Sequence, residues 1–245
     1  PPTPPEFDFT ATPTPGLPNS TELTHCGTSV RASWELNDNW TLRSISAYRN
    51  LENTDYVDID ATALEIGDVL VDVDQDQVSQ ELQAIYESER LTLVSGLYYL
   101  RENIVSHQEA YADDFVTGFA LPSPPFPANA PATSFLRTVD DDLETTSWAA
   151  YLNANFAVTD RLNASVGVRY TEESKDYFRT TSTFSNNIFL VGTFAFQDEE
   201  TWENVSPMVS LDYQLNDDVM LYGRVAQGFK SGGFNGRANN PGEDQ

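Results

Sequence analysis

The sequence predicts an all-β chain: eight antiparallel strands in four hairpins, part of the wall of a transmembrane β-barrel. Three observations carry that expectation. Apolar and polar residues alternate with period two over long stretches, and no segment of helical length repeats near 3.6. Short turns and long acidic connections alternate strictly along the chain. The strands, read as roughly nine to fifteen residues, exceed the usual five or six of soluble sheets.

Taken in order, residues 1–27 are expected to be an extracellular Pro-rich loop. Pro1, Pro2, Pro4, Pro5, Pro13, Pro15 and Pro18 leave no room for a helix or a central strand. The first hairpin is placed at about 28–56. Val30, Ala32, Trp34 and Leu36 alternate with Arg31, Ser33 and Glu35, Asn37-Asp38-Asn39 turns the chain, and Trp40–Tyr56 returns, its pattern blurred at Ser44–Ala47. The second, about 77–106, sets Leu82, Ala84 and Tyr86 against Glu81 and Gln83, turns at Glu87–Arg90 and continues through Leu91–Ser106. The third, about 143–180, is the clearest. Trp148, Ala150, Leu152, Ala154, Phe156 and Val158 share one face, Thr159-Asp160-Arg161 turns, and Leu162, Ala164, Val166, Val168 and Tyr170 resume the alternation. The fourth, about 201–230, has Val205, Pro207, Val209, Leu211 and Tyr213, the turn Asn216-Asp217-Asp218, then Val219, Leu221, Gly223 and Val225. Acidic loops are expected at roughly 57–76, 107–142 and 180–200, and residues 231–245 are expected to begin another extracellular loop.

An apolar face on every long strand needs an apolar partner. Strand length and the asymmetry of the connections favour lipid over a second sheet as in a soluble sandwich, because barrel strands cross a band of ~25 Å with short turns on one side and long loops on the other. Lipid offers no partner to a bare sheet edge, so such a sheet closes on itself. Trp34, Trp40, Phe156 and Tyr213 fall near the short turns, and Tyr48, Trp148 and Tyr170 toward the loops, where interfacial girdles belong. The opposite faces, rich in Asn, Ser, Gly, Gln and Arg, suit a hydrated lumen.

Composition removes several function classes. Thirteen Lys+Arg against 38 Asp+Glu give a net charge of −25, which cannot coat a phosphate backbone, so no nucleic-acid partner is expected. Cys26 is the single cysteine, against a disulfide framework within these residues or a Cys-based zinc site. His25 and His107 lie far apart and read as ordinary loop residues. No Ser/His/Asp or Cys/His set appears at plausible positions, so no catalytic residue is assigned and an enzyme is not expected. No apolar run has transmembrane-helix length and no signal-peptide pattern is present; the chain is expected to be mature or a fragment.

Several residues invite a functional reading and a plainer one. Asp72, Asp74 and Asp76 alternate and can in principle hold Ca2+, but the loop pattern then wants Gly at Gln77 and Glu at Gln83; a solvated acidic strand end is the reading adopted. Asp113-Asp114 and Asp140-Asp141-Asp142 read as solvated loop charges. Arg43, Arg169 and Arg224, with Glu81, face the lumen, as a substrate route, a brace for a plug, or ion pairs within the wall. Gly228, Gly232 and Gly233 around Phe229 resemble a phosphate loop only superficially, since no helix follows; they are expected to let the strand bend into its outer loop. Phe119, Phe126 and Phe135, among Pro122, Pro124, Pro125, Pro127 and Pro131, can meet a ligand or lipopolysaccharide, or pack the loop on itself.

The runs Trp40–Arg49, Val78–Gln83, Val166–Glu173 and Ser206–Tyr213, and above all Leu221-Tyr222-Gly223-Arg224-Val225-Ala226-Gln227-Gly228-Phe229-Lys230-Ser231-Gly232-Gly233-Phe234-Asn235, resemble the barrel of TonB-dependent outer-membrane receptors. The resemblance covers about residues 28–237. It implies a 22-stranded barrel plugged by a globular domain, in the bacterial outer membrane. It implies active import of a scarce nutrient, commonly a ferric siderophore, with the TonB complex as partner through the plug. With the plug domain absent, the chain is expected to be an internal piece of that barrel or the ordered part of a larger protein. The expected partners are outer-membrane lipid and lipopolysaccharide and a small-molecule substrate such as a metal chelate; no cofactor is assigned, and no substrate-binding residue. A passive porin, which shares the alternation, is the alternative.

Overall fold

The computed structural model describes residues 20–59, 67–112, 135–185 and 192–236. They form one eight-stranded sheet: β1 (Thr21–Glu35), β2 (Trp40–Asp58), β3 (Asp68–Glu87), β4 (Leu91–Ala112), β5 (Phe135–Thr159), β6 (Leu162–Ser185), β7 (Gly192–Gln214) and β8 (Met220–Ala226). Each strand pairs antiparallel with its chain neighbour, so spatial order equals sequence order.

All four short turns stand where the polar clusters put them. Each opens on a residue whose side-chain oxygen accepts backbone N–H groups. Asn37 Oδ1 takes the amides of Asn39 (3.0 Å) and Trp40 (3.1 Å). Ser88 Oγ takes that of Leu91 (3.2 Å). Thr159 Oγ1 takes those of Arg161 (3.2 Å) and Leu162 (3.0 Å), and Asn216 Oδ1 that of Asp218 (3.0 Å). Such residues offer the backbone a local turn in place of further sheet. Neighbouring turns are stitched together as well: Asn39 Nδ2 donates to Glu87 O at 2.6 Å.

The far ends of the strands differ from expectation. The first hairpin starts at Thr21, so residues 21–27 belong to β1 rather than to the loop of 1–27, whose residues 1–19 lie outside the described ones. Residues 68–76, 107–112, 135–142, 181–185 and 192–200, expected in acidic loops, are strand. Beyond Tyr48, Val78, Tyr99, Trp148, Tyr170 and Val205 a number of outward positions turn acidic and a number of inward ones turn apolar, while Asp55, Glu102, Asp141, Glu173, Asp198 and Glu200 keep inward register positions. Asp72, Asp74, Asp76, Asp140, Asp142, Glu144, Asp176 and Glu199 alternate with inward Val69, Val71, Val73, Val139, Leu143, Tyr177 and Phe196. The hydrophobic phase slips by one residue while the strand runs on unbroken. β8 is the opposite case. It ends at Ala226, and residues 227–236 leave the sheet.

Below that transition the outward face is a largely apolar surface that the chain does not bury, Trp34 being 68%, Leu97 59% and Val166 51% exposed, interrupted on β2–β4 by Ser44, Ser46, Gln80 and Ser95. A patch of this extent needs a partner, and lipid fits the geometry. The outward aromatic and apolar borders are eight residues apart on strand after strand: Trp40 to Tyr48, Leu91 to Tyr99, Trp148 to Phe156, Leu162 to Tyr170. Each span is about 27 Å of strand at ~3.4 Å per residue. The lower border shifts by two pairing rows from Trp40 on β2 to Tyr213 on β7. Four residues of shift over five strand spacings of ~4.8 Å is a tilt of about 30°. The apolar band is then about 24 Å tall, the height of an outer-membrane hydrocarbon belt. Trp40 packs on Tyr86 at one border (5.1 Å between ring centroids) and Trp148 on Tyr170 at the other (5.2 Å).

Candidate functional site

The inward face carries the polar chemistry in two tiers. At membrane depth, β3, β5 and β6 build a hydrogen-bonded cluster. Tyr151 Oη donates to Glu81 Oε1 (2.5 Å), and Gln83 Nε2 donates to the same carboxylate (3.0 Å) and to Tyr151 Oη (3.1 Å). The Arg169 guanidinium lies over the rings of Tyr98 (5.5 Å) and Tyr151 (5.8 Å), and its Nε donates to Thr171 Oγ1 (3.1 Å). Tyr151 crosses to β4 because Gly96 leaves space there: a Cβ on Gly96 would sit 2.5 Å from the phenol ring. Arg43 Nη1 donates to Gln83 Oε1 at 3.4 Å. Arg43, Arg169 and Glu81 thus face inward as expected. They are joined through Gln83 and the tyrosines. Arg224 takes an inward register position on the exposed strand β8.

The upper tier has a mixed core of apolar, hydroxyl and ion-paired side chains. Val139, Thr145, Ser147, Ala149, Thr171, Tyr177, Arg179 and Thr181, all inward on β5 and β6, are buried, Ala149 to 1% exposure. Residues 227–236 fold across part of this wall. Gln227 N still donates to Pro207 O (3.0 Å); past Gly228 the segment turns inward. Lys175 Nζ donates to Gly232 O (2.8 Å) and Ser231 Oγ (3.0 Å), and pairs with Glu173 (3.3 Å), to which Ser231 also donates. Phe234 stacks on Tyr177 (5.2 Å, 11°) and meets Phe196 and Trp202 edge-on. Gly232 is required there, since a Cβ would come within 2.6 Å of the Trp202 indole. These glycines therefore admit an inward strap. The expectation that 231–245 begins an outer loop gives way for 231–236, because an aromatic pocket and two cations on the inner wall hold them; 237–245 lie outside the described residues.

The acidic runs are resolved by strand alternation. Asp140 and Asp142 point outward, and Asp141 points inward, where it accepts from Tyr177 Oη (2.5 Å) and Ser106 Oγ (3.3 Å) and lies 3.3 Å from Arg179 Nε. Burial first, then the bond to Asp141, pushes the Tyr177 hydroxyl up from its ordinary pKa. From sequence Asp141 reads as a solvated loop charge because residues 107–142 read as loop, and the period-two pattern Val139, Asp141, Leu143 is the available signal; Tyr177 and Arg179 lie in the third hairpin, 143–180, but past the point where the apolar phase changes face. Asp72, Asp74 and Asp76 stand outward on β3, within the strand rather than in a loop, and Asp74 accepts from Asn50 Nδ2 (3.3 Å). His107 is no loop residue either. On β4 its Nδ1 meets Asp140 (2.6 Å) and its Nε2 meets Glu109 (3.0 Å), and these bonds, Asp140 first, raise its pKa. Phe135 opens β5; Asp113, Asp114, Phe119, Phe126 and the prolines around them lie outside the described residues.

A sheet with an apolar belt on one face, a polar face opposite and strands that run on past the belt has the architecture of outer-membrane barrel wall. Residues 2–244 match the family described as TonB dependent receptor-like, beta-barrel, and the chain belongs to that family, whose members reside in the Gram-negative outer membrane. It is similar to the pesticin receptors of Yersinia pestis and Yersinia enterocolitica, each 25% identical over 202 residues, covering 81% of this chain and 25% of the relative. The chain therefore spans about a quarter of the length of the curated relatives it matches. Among solved structures, the ferric yersiniabactin uptake receptor FyuA of Yersinia pestis superposes with a TM-score of 0.63 at 24% identity, over 88% of this chain and 29% of that one. The siderophore receptor PiuA of Acinetobacter baumannii gives 0.51 at 11% identity, over 82% and 32%.

Proposed function

We propose that this chain is barrel wall of an outer-membrane receptor for active import of a scarce nutrient, a ferric siderophore being the substrate assigned. The observation that carries the reading is the inner face. It is polar and hydrogen-bonded at membrane depth, then aromatic above with its cations Lys175 and Arg179 paired to Glu173 and Asp141, on a chain of charge −25. A lumen route for a solute that is itself neither lipid nor cation fits that distribution. Support comes also from the relatives: FyuA is described as a ferric yersiniabactin uptake receptor and PiuA as a siderophore receptor. In this reading a plug domain elsewhere in the protein couples the barrel to the TonB complex, the outward belt meets lipid, and the acidic rim meets lipopolysaccharide. The wall's role is to bind and conduct, not to catalyse.

The test is uptake of 55Fe-loaded siderophores by iron-starved Gram-negative cells that carry the full-length protein as their sole receptor. Saturable uptake, abolished by a proton uncoupler and by loss of TonB, is expected for one chelate of a panel. Uptake that rises linearly with concentration and ignores the uncoupler means a passive porin.

A further inference from the structure

β7 runs for 23 residues, Gly192–Gln214, but β8 accompanies it only from Met208 to Gln214. Gln227 N, on Pro207 O at 3.0 Å, is the last rung between them. Among the described residues the β8-side edge of β7 is bare from Ser206 to Gly192, while its other edge stays paired with β6 as far as Gly192. The chain that follows this rung, residues 228–236, crosses the inner wall instead of covering that edge. We propose that this segment is a two-position switch. It docks inward as the strap, or it lies along β7 and lengthens β8. The first position narrows the lumen above the membrane, and the second returns the segment to the wall.

The two positions exclude each other. Neighbouring strands lie ~4.8 Å apart, so β6 and β8 are about 10 Å apart across β7. The strap crosses that gap to reach β6. Lys175 Nζ donates to Gly232 O (2.8 Å), Arg179 Nη1 to Asn235 O (3.4 Å), and Phe234 stacks on Tyr177 (5.2 Å). None of these contacts survives with 228–236 in the sheet on the far side of β7. The register of β8 fixes what extension looks like. Continued past Met208↔Ala226, it brings Val205 opposite Phe229, Trp202 opposite Gly232 and Asp198 opposite Gly236. Phe229 then stands outward in the row of Tyr170 and Val205, at the upper border of the apolar band. The bare peptide groups of β7 gain partners at the same time. Against extension stand the strap contacts and Gly228, Gly232, Gly233 and Gly236, which weaken a strand interior. Each position is a discrete arrangement with its own contacts, which is what a switching element requires. Gly232 sits at the balance between them. Its missing Cβ lets the strap pass within 2.6 Å of the Trp202 indole, and the same absence disfavours the strand.

The experiment is hydrogen–deuterium exchange on the full-length receptor in lipid vesicles, resolved to single amides of β7. Pro207 O faces β8, so the amides of Val205 and Glu203 face that side too. Gly232→Thr blocks the strap at Trp202 and favours a strand. It is expected to slow exchange of these two amides by about tenfold or more. Phe234→Ala, which removes only the stack, is expected to slow them less. Cutting the contacts of a strap that merely packs leaves exchange at this edge unchanged or faster. Such a result in a folded Gly232→Thr protein, or in Phe234→Ala should the first not fold, overturns the proposal. A cross-link reads the extended position directly. Asp198→Cys with Gly236→Cys, all other cysteines including Cys26 being changed to Ser, sets two thiols directly opposite in that position, where a disulfide fits. The disulfide is expected to form, and to form about tenfold faster when Phe234→Ala is added, in proportion to the extended population. No disulfide in either protein, or equal rates in both, overturns the proposal.

Discussion

At the scale of single residues, the wall is held by pairs in which one side chain occupies the space another leaves. Tyr151 reaches Glu81 only because Gly96 has no Cβ. Gly96→Ala is expected to cost about 1–3 kcal/mol by overpacking. In a Tyr151→Ala background the same change is expected to cost close to nothing. Equilibrium unfolding of the four proteins from lipid vesicles measures the coupling, and additive losses would refute the contact. His107 gives a pH-dependent case outside the membrane. Its folded pKa is raised by Asp140 and Glu109, so the protonated form is the one the fold favours. Its stabilisation is fully present below the unfolded value near 6.5 and is lost as pH rises through the raised folded value. The imidazole NMR resonance is expected to titrate above an exposed histidine, to move down toward the ordinary value in Asp140→Asn, and to move down further when Glu109 is also changed to Gln.

At the scale of the strand, what decides the fold is which solvent each face meets, and that changes partway along. Within the apolar band, Leu152 stands midway between Trp148 and Phe156, and Leu152→Arg is expected to cost about 2–4 kcal/mol. Asp142→Arg, on the same face of the same strand but beyond Trp148, is expected to cost a small fraction of that. Comparable losses in vesicle unfolding would remove the assigned boundary. The same boundary explains what could be read in advance. The hairpins and their turns were legible because Trp148, Ala150, Leu152, Ala154 and Phe156 obey one rule, apolar outward. Past Trp148 the rule reverses: Val139 and Leu143 are inward, Asp140, Asp142 and Glu144 outward. A pattern that inverts phase looks like no pattern when the membrane-facing phase is the one sought. The inward strap was opaque for another reason. Phe229–Asn235 has no periodicity, and its place follows from stacking of Phe234 on Tyr177 and from Lys175 and Arg179 holding its carbonyls. Those contacts span more than 50 residues of chain.

At the scale of the molecule, the placement of tryptophan offers a test of the whole arrangement in the bilayer. The chain has four: Trp34, Trp40, Trp148 and Trp202. The first three lie outward at the two borders of the apolar band, with Trp34 and Trp40 by the short turns and Trp148 at the opposite border. Trp202 lies inward beyond the band, against Phe234 and 5.5 Å from the Lys175 ammonium. Interfacial aromatics of a barrel contact the headgroup boundary directly, whereas a lumen indole is separated from lipid by the thickness of the wall. In the full-length receptor reconstituted with phospholipids brominated on the acyl chain near the headgroup, replacing Trp40 or Trp148 by Phe is expected to reduce the quenchable fraction of tryptophan emission. Trp202→Phe is expected to leave it unchanged in absolute amount. The reverse ordering would mean that the two faces have been exchanged. The apolar stripe would then be packed against protein and the Glu81–Tyr151–Arg169 cluster against lipid, where unscreened ionised groups are too costly to keep. The quenching ratio therefore tests the assignment of inside and outside on which the import route depends, independently of any substrate.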